Sequence, residues 1–172
     1  MKRAVFLDRD NTINEDTGYT HKVEDFKLMP EALSGLQALH DAGFVLIVIT
    51  NQSGIGRGYY TEADMHAFHA HMCDHLKERG VKIAHVYHCG HHPDDECVCR
   101  KPKTHMIERA IDDWSIEKEG SWMIGDKPSD IEMGTRAGVR TIHVGEEEIK
   151  NPVPHHRATD LKHAAEIIIR SL

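Results

Sequence analysis

Two acids open the chemistry of this chain. Asp8 and Asp10 stand two positions apart in Val5-Phe6-Leu7-Asp8-Arg9-Asp10-Asn11-Thr12, directly after an apolar run that reads as the end of a buried strand. Side chains two apart on a strand face one way, so the carboxylates repel unless a cation, a proton or a turn of the chain intervenes. A divalent metal answers that repulsion most simply. One carboxylate then keeps a free oxygen to attack an electrophile, while the other, just past the strand, handles a proton. Asp126 repeats the arrangement in Trp122-Met123-Ile124-Gly125-Asp126, where a short apolar strand ends at a glycine and an acid follows. It is the expected third anchor of the metal.

A second metal pattern lies in the middle of the chain. Cys89-x-His91 and Cys97-x-Cys99, five residues apart, offer three thiols and an imidazole to a tetrahedral ion of the zinc type. His88 and His92 are rival ligands that spacing alone does not separate. Four protein ligands leave no open position, so this site reads as structural. Cys99 runs directly into Arg100-Lys101, and cations fixed beside a metal-bound residue are held in place, as anion recognition requires.

Two loops complete the inventory. Thr50 closes an apolar run and precedes Asn51-Gln52-Ser53-Gly54-Ile55-Gly56-Arg57-Gly58, so a hydroxyl and glycine-flanked backbone donors can meet a phosphate oxygen without obstruction. The polar stretch from Asn14 to His21, with Asp16-Thr17-Gly18-Tyr19 at its centre, follows the acid pair closely and reads as a rim for substrate. His71 and His75, one helical turn apart, have no third ligand nearby and read as solvent-exposed; Cys73 reads as a small buried or boundary side chain.

The elements that must position these groups alternate regularly. Apolar, β-rich runs near 3–7, 43–50, 81–87, 121–124 and 140–144 are separated by helical patterns near 30–42, 61–79, 103–114, 128–137 and 158–171. Strand alternating with helix implies a mostly parallel, Rossmann-like sheet. The unbroken apolar run Phe44–Ile49 suits a central strand covered on both faces, so a three-layer α/β/α sandwich is predicted. Pro30 is expected in the first turn of the first helix. Met65, Phe68, Met72 and Leu76 form one apolar stripe on the second. Ligands of such sheets sit beyond the carboxyl ends of the strands, where every candidate residue falls. No long insertion follows Asp10 or Thr50 to make a cap, so the loops at 14–21, 51–58 and 88–103 must enclose the substrate.

The motif Asp8-x-Asp10-x-Thr12 after a hydrophobic strand resembles the first motif of the haloacid dehalogenase superfamily of phosphotransferases. Thr50 matches the second motif, Lys101 the third, and Gly125-Asp126-x-x-x-Asp130 the fourth, so the likeness spans most of residues 3–145. The resemblance implies Asp8 as nucleophile, Asp10 as acid and base, and Thr50 and Lys101 as the groups that steady the phosphoryl. It further implies Mg²⁺ held by Asp8, the backbone carbonyl of Asp10 and Asp126, with Asp130 supporting. The Gly18-Tyr19-x-His21 loop and the run Thr50-Asn51-Gln52-Ser53-Gly54-Ile55-x-Arg57-Gly58 are similar to the bacterial D-glycero-D-manno-heptose 1,7-bisphosphate 7-phosphatase branch. That likeness implies substrate contacts from Asp16, Thr17, Gly18, Tyr19, Asn51, Gln52, Ser53, Arg57, Arg100 and Lys127. Histidinol-phosphate phosphatases share the zinc loop and are the alternative; a catalytically idle, zinc-stabilised binding module is the alternative from another class. One position departs from the family: Asn11 stands where glycine is common, and asparagine tolerates a left-handed backbone best among the other residues.

Length and charge narrow the partners. A chain of 172 residues suits one domain, 1–172, with a core of ordinary size. A net charge of −7, with no basic cluster longer than Arg100-Lys101-Pro102-Lys103, argues against a nucleic-acid surface. No signal peptide and no apolar run of membrane-spanning length are present, so a soluble, cytoplasmic protein without membrane contact is expected. The expected partner is a small phosphorylated sugar, and the expected state is a monomer.

Overall fold

A computed structural model describes residues 1–172. Six strands, β1 (Ala4–Leu7), β2 (Val45–Asn51), β3 (Ile83–Cys89), β4 (Trp122–Gly125), β5 (Arg140–Val144) and β6 (His156–Ala158), form one sheet in the order β3-β2-β1-β4-β5-β6. Every adjacent pair is parallel. Successive strands step outward from β1 in one direction and, from β4 on, in the other. The crevice between β1 and β4 is therefore the topological switch point, where open α/β sheets bind ligands.

Five helices cover the sheet: α1 (Ala32–Asp41), α2 (Glu62–Lys77), α3 (His105–Trp114), α4 (Pro128–Ala137) and α5 (Leu161–Arg170). The two-residue period of β1 assigns its side chains to two separate cores. Val5 and Leu7 join one with Leu36, Leu39, Met72, Leu161 and Ile168; Ala4 and Phe6 join the other with Ile107, Ala110, Met123 and Met133. All four residues of β1 are fully buried, so the strand that ends at Asp8 is held from both faces.

α2 begins at a reciprocal cap: Thr61 Oγ1 accepts the Asp64 N–H at 3.1 Å and Asp64 Oδ2 accepts the Thr61 N–H at 2.9 Å. The predicted stripe of Met65, Phe68, Met72 and Leu76 is wholly buried, each side chain contributing about 1.5–3 kcal/mol. His69 is buried in the same face. His71 is exposed and His75 half-buried, both edge-on to Phe26.

Two local expectations need correction. α1 starts at Ala32 rather than at Pro30, because Glu31 takes a left-handed backbone (φ 63°) and leaves Pro30 outside the first turn. β6 and the 3-10 turn Val23–Asp25 have no counterpart in the predicted pattern. β6 is a three-residue edge strand with two exposed polar residues, so it carries no apolar alternation to read.

Candidate active site

The register of the sheet sets the floor of the site. Leu7 pairs with Ile124, so Asp8 and Asp126 emerge from adjacent strand ends, and the Asp8 N–H continues the ladder to the Ile124 carbonyl at 3.0 Å. Asp8, Asp126 and Asp130 bring carboxylate oxygens within 4.8 Å of one another. Lys101 enters from the far side with all three ammonium protons used: Nζ donates to Asp8 Oδ1 at 2.8 Å, Asp130 Oδ1 at 2.7 Å and the Ile49 carbonyl at 2.9 Å. A Cβ at position 125 would collide with the Asp130 carboxylate, so Gly125 is what lets that acid reach Lys101.

Electrostatics separates these acids. Burial works against charge on Asp8, but Lys101 outweighs it and holds Asp8 below the usual carboxylate range. Burial likewise opposes charge on Lys101, and Asp130 and Asp8 together hold it above the ordinary lysine value. No ammonium is bonded to Asp126, and the charge of Lys127 offsets only part of what raises it. Burial, then the charge of Asp8, pushes it up to about 8, and its Oδ1 is buried without a hydrogen-bond partner. A crowded set of hard oxygen donors with one orphaned atom fits a Mg²⁺ ion. Both oxygens of Asp130 are already engaged, Oδ1 by Lys101 and Oδ2 by the Lys127 N–H at 3.2 Å, so it supports rather than adds to that set.

Asp10 sits in a different environment. Its Oδ1 accepts from Arg9 Nε at 2.9 Å, Arg9 Nη2 at 2.7 Å and Asn14 Nδ2 at 3.2 Å, whereas Oδ2 receives only Gln52 Nε2 at 3.3 Å. Burial raises its pKa against the opposing charge of Arg9, the direction a proton donor needs. The turn that follows is made by Asn11 at φ 59°, whose side-chain carbonyl accepts the Asp16 N–H at 3.1 Å. The left-handed turn thus forms on asparagine.

A cavity of about 420 Å³ opens over Asp8, Asp10 and Lys101. Asp16, Gly18 and Tyr19 line one wall; Asn51, Gln52, Ser53 and Arg57 line another; Arg100 and Lys127 complete the rim. Tyr60 and Ser129 also line it. Three expected residues do not border the space. Thr17 is exposed outside it, Asp126 lies beneath it, and Thr50 is 1 % exposed with its hydroxyl accepting Gln52 Nε2 at 2.9 Å. Several expected contacts also have partners within the protein. Asp16 Oδ1 accepts from the Gly18 and Thr20 N–H groups and the Thr20 hydroxyl, which shapes the loop. Asn51 Oδ1 accepts the Lys101 N–H at 3.0 Å and so fixes the backbone of that lysine. Arg100 Nη1, by contrast, is buried without a partner.

Beside this cavity, Cys89, His91, Cys97 and Cys99 gather at the end of β3. Cys89 Sγ lies 3.8 Å from Cys97 Sγ and 3.4 Å from His91 Nδ1, which in turn lies 3.2 Å from Cys99 Sγ. A tetrahedron with Zn–S bonds of about 2.3 Å has edges of about 3.8 Å, so the donor set fits zinc. The rival histidines are turned to other work: His88 Nε2 meets Glu62 at 3.1 Å, and His92 Nδ1 accepts the Asp94 N–H at 3.0 Å. Gly56 lies against the backbone of Gly90–His92, where a Cβ would not fit, so the two loops pack directly.

Sequence patterns gave no signal for Arg9, Tyr60 or His69, and Asn14, read as the start of the rim loop, is instead buried against Asp10. Arg9 is 0 % exposed, which no charge pattern announces, and its guanidinium lies 4.4 Å over the Phe68 ring.

Comparison with known proteins places the chain in one family. The sequence model of the HAD-hydrolase-like family matches residues 98–172. A D-glycero-alpha-D-manno-heptose-1,7-bisphosphate 7-phosphatase of Photorhabdus laumondii is 41% identical over 164 residues, covering 88% of this chain and 90% of that protein. A D-glycero-beta-D-manno-heptose-1,7-bisphosphate 7-phosphatase of Helicobacter pylori is 38% identical, covering 96% and 97%. The crystal structure of D,D-heptose 1,7-bisphosphate phosphatase from B. bronchiseptica, complexed with magnesium and phosphate, superposes with a TM-score of 0.90 at 27% identity, covering all of both chains. With relatives this similar over nine-tenths of their length and a matching fold, the chain belongs to the haloacid dehalogenase-like hydrolases, in the family of the D-glycero-D-manno-heptose 1,7-bisphosphate 7-phosphatases.

Proposed function

We propose that this protein is a Mg²⁺-dependent phosphatase that removes the C7 phosphate of D-glycero-D-manno-heptose 1,7-bisphosphate through an aspartyl-phosphate on Asp8. The observation that carries the reading is the pair of unlike acids on one cavity floor: Asp8 kept charged by Lys101, and Asp10 lifted by burial with one oxygen lightly held. Mg²⁺, held by Asp8, the Asp10 carbonyl and Asp126, supplies Lewis-acid neutralisation of the phosphoryl charge.

The chain's own residues do the rest. The Asp8 oxygen not bonded to Lys101 attacks phosphorus, and the P–O bond to the sugar breaks as Asp10 Oδ2 gives its proton to the departing alkoxide. Asp10, now a carboxylate, takes a proton from the water that attacks the aspartyl-phosphate, which releases inorganic phosphate and restores Asp8. Lys101 neutralises charge on the attacked group, while Thr50 fixes Gln52 at the strand end.

A bisphosphate brings a second dianion, and the rim supplies Arg57 and Arg100, the latter with an unpartnered nitrogen. Histidinol phosphate would bring an amine instead. The acids at the mouth are already drawn on by the protein, Asp16 Oδ1 by its own loop and Glu15 by Lys27 at 3.4 Å, which leaves Asp16 Oδ2 alone to meet an amine. In this reading the enzyme acts as a cytoplasmic monomer: the reaction as written calls on no group of a second chain, and thiol ligands are kept reduced in the cytoplasm. No helix is long and apolar enough to cross a membrane. Side-by-side kinetics test the assignment: kcat/KM should be higher for the heptose bisphosphate than for histidinol phosphate, and the reverse order would overturn it.

A further inference from the structure

The two oxygens of Asp10 are held by two chains of contacts, each ending at a residue that takes no part in the steps above. On one side, Gln52 donates from Nε2 to Asp10 Oδ2 and to Thr50 Oγ1, while its Oε1 accepts the Tyr60 hydroxyl at 2.5 Å. An amide can turn end for end, and the Tyr60 hydroxyl, donating to Oε1, supports the orientation that aims Nε2 at Asp10. The Tyr60 ring is itself fixed, stacked on His21 at 4.5 Å and lying where a Cβ on residue 54 would stand. Gln52 is 2 % exposed, and Asp10, Thr50 and Tyr60 take up both Nε2 protons and Oε1, which ties its amide to Asp10.

On the other side, Arg9 donates twice to Asp10 Oδ1, once to the Thr20 carbonyl at 2.6 Å, and from Nη1 to His69 Nε2 at 3.1 Å. A guanidinium has no acceptor, so His69 must present an unprotonated Nε2 and is neutral. Without that acceptor, a donor of a fully buried arginine would be left unpaired.

We propose that this asymmetry confines the transferable proton to Asp10 Oδ2, and that Tyr60 and His69 are the positioning residues that maintain it, through Gln52 and Arg9 respectively. Three donors on Oδ1 leave no lone pair suited to a proton, and the single, longer contact on Oδ2 leaves it open to the cavity. The inference rests on the phosphatase reading but not on the identity of the sugar.

Tyr60→Phe removes only the hydroxyl and keeps the ring. The test compares kcat/KM on two esters, p-nitrophenyl phosphate, whose leaving group departs without a proton, and the alkyl phosphate that wild type hydrolyses fastest. A misplaced general acid should cost on the order of tenfold on the alkyl ester and about twofold or less on the aryl ester. His69→Leu should show the same split, and His69→Gln, which restores an acceptor for Arg9, should recover the alkyl activity. Equal losses on both esters, or no loss in Tyr60→Phe, would overturn the positioning role while the phosphatase reading stands. Wild-type protein that hydrolyses neither ester would overturn both. Thermal unfolding of each variant separates misfolding from mispositioning, and Tyr60→Phe decides the matter should His69→Leu not fold.

Discussion

The two ligand clusters of this chain sit on the same edge of one sheet and are built in opposite ways. The Cys89–His91–Cys97–Cys99 set is soft and complete: four ligand atoms at tetrahedral spacing, with nothing left for a substrate. The Asp8–Asp126–Asp130 set is hard and incomplete, with an orphaned Asp126 oxygen beneath a cavity and one ammonium among three acids. A closed set holds a loop in place; an open one leaves room for chemistry. What connects them is two residues of chain, because Arg100 and Lys101 follow Cys99 directly and carry the rim and the floor cations of the cavity.

If the clusters have these separate duties, they should fail in different ways. Asp8→Asn keeps side-chain size but removes the nucleophile and a Mg²⁺ ligand, so phosphate release should fall by at least about a thousandfold while zinc content and far-UV dichroism stay at wild-type values. Cys97→Ser should lose zinc first and part of the activity with it. Zinc falls below one per chain, the 89–103 loop loosens, and activity drops about ten- to a hundredfold on every substrate because Lys101 loses its anchor. Elemental analysis of protein purified without added metal, paired with kinetics, reads both. Full activity in zinc-free protein would break the comparison.

Arg100 sharpens it, because it lies at the join. Arg100→Ala should cost about tenfold in kcat/KM on the heptose bisphosphate, the loss of a charged hydrogen bond of about 1.5 kcal/mol at a partly open rim. The corresponding monophosphate should lose less, since only recognition of the second phosphate is removed.

A last effect is on stability rather than on activity, and it comes from His69, which is in neither cluster. Burial, then the charge of Arg9, depresses the His69 imidazole from 6.5 to about 3. As pH falls below 6.5 the unfolded chain therefore takes up a proton that the folded chain refuses, and stability is lost at about 1.4 kcal/mol per pH unit from this group. Urea unfolding at pH 7 and pH 5 should show wild type losing about 2 kcal/mol more than His69→Gln over that interval. An equal loss in both proteins would remove His69 from the account of acid lability.

The strand-end acids were legible because a two-residue spacing after an apolar run has few structural uses. The zinc ligands were legible because paired short spacings imply a chelate, although the choice of His91 over His88 and His92 required the loop's own hydrogen bonds. The layers of the sheet followed from alternation, and only β6, too short and polar to show a period, went unread. What stayed hidden was everything that acts through a second residue. Arg9 beside Asp10 looks like solvated charge in a string of letters; its burial against Phe68 and its bond to His69, sixty positions away, exist only once α2 packs on the sheet. Gln52 was expected at the substrate, and its place in the motif could not show that Tyr60, Thr50 and Asp10 occupy its amide.

The central claim is that Asp8 is phosphorylated and that Asp10 is needed afterwards to release the phosphate. Asp10→Asn protein, mixed with Mg²⁺ and p-nitrophenyl phosphate and quenched in acid, tests it, since that ester needs no proton to leave and the variant lacks the base for the second step. Peptide mass spectrometry should find one phosphoryl group on Asp8, matched by one equivalent of nitrophenol released per chain. A full equivalent of nitrophenol with an unmodified Asp8, or with the phosphoryl group on another residue, would contradict the account.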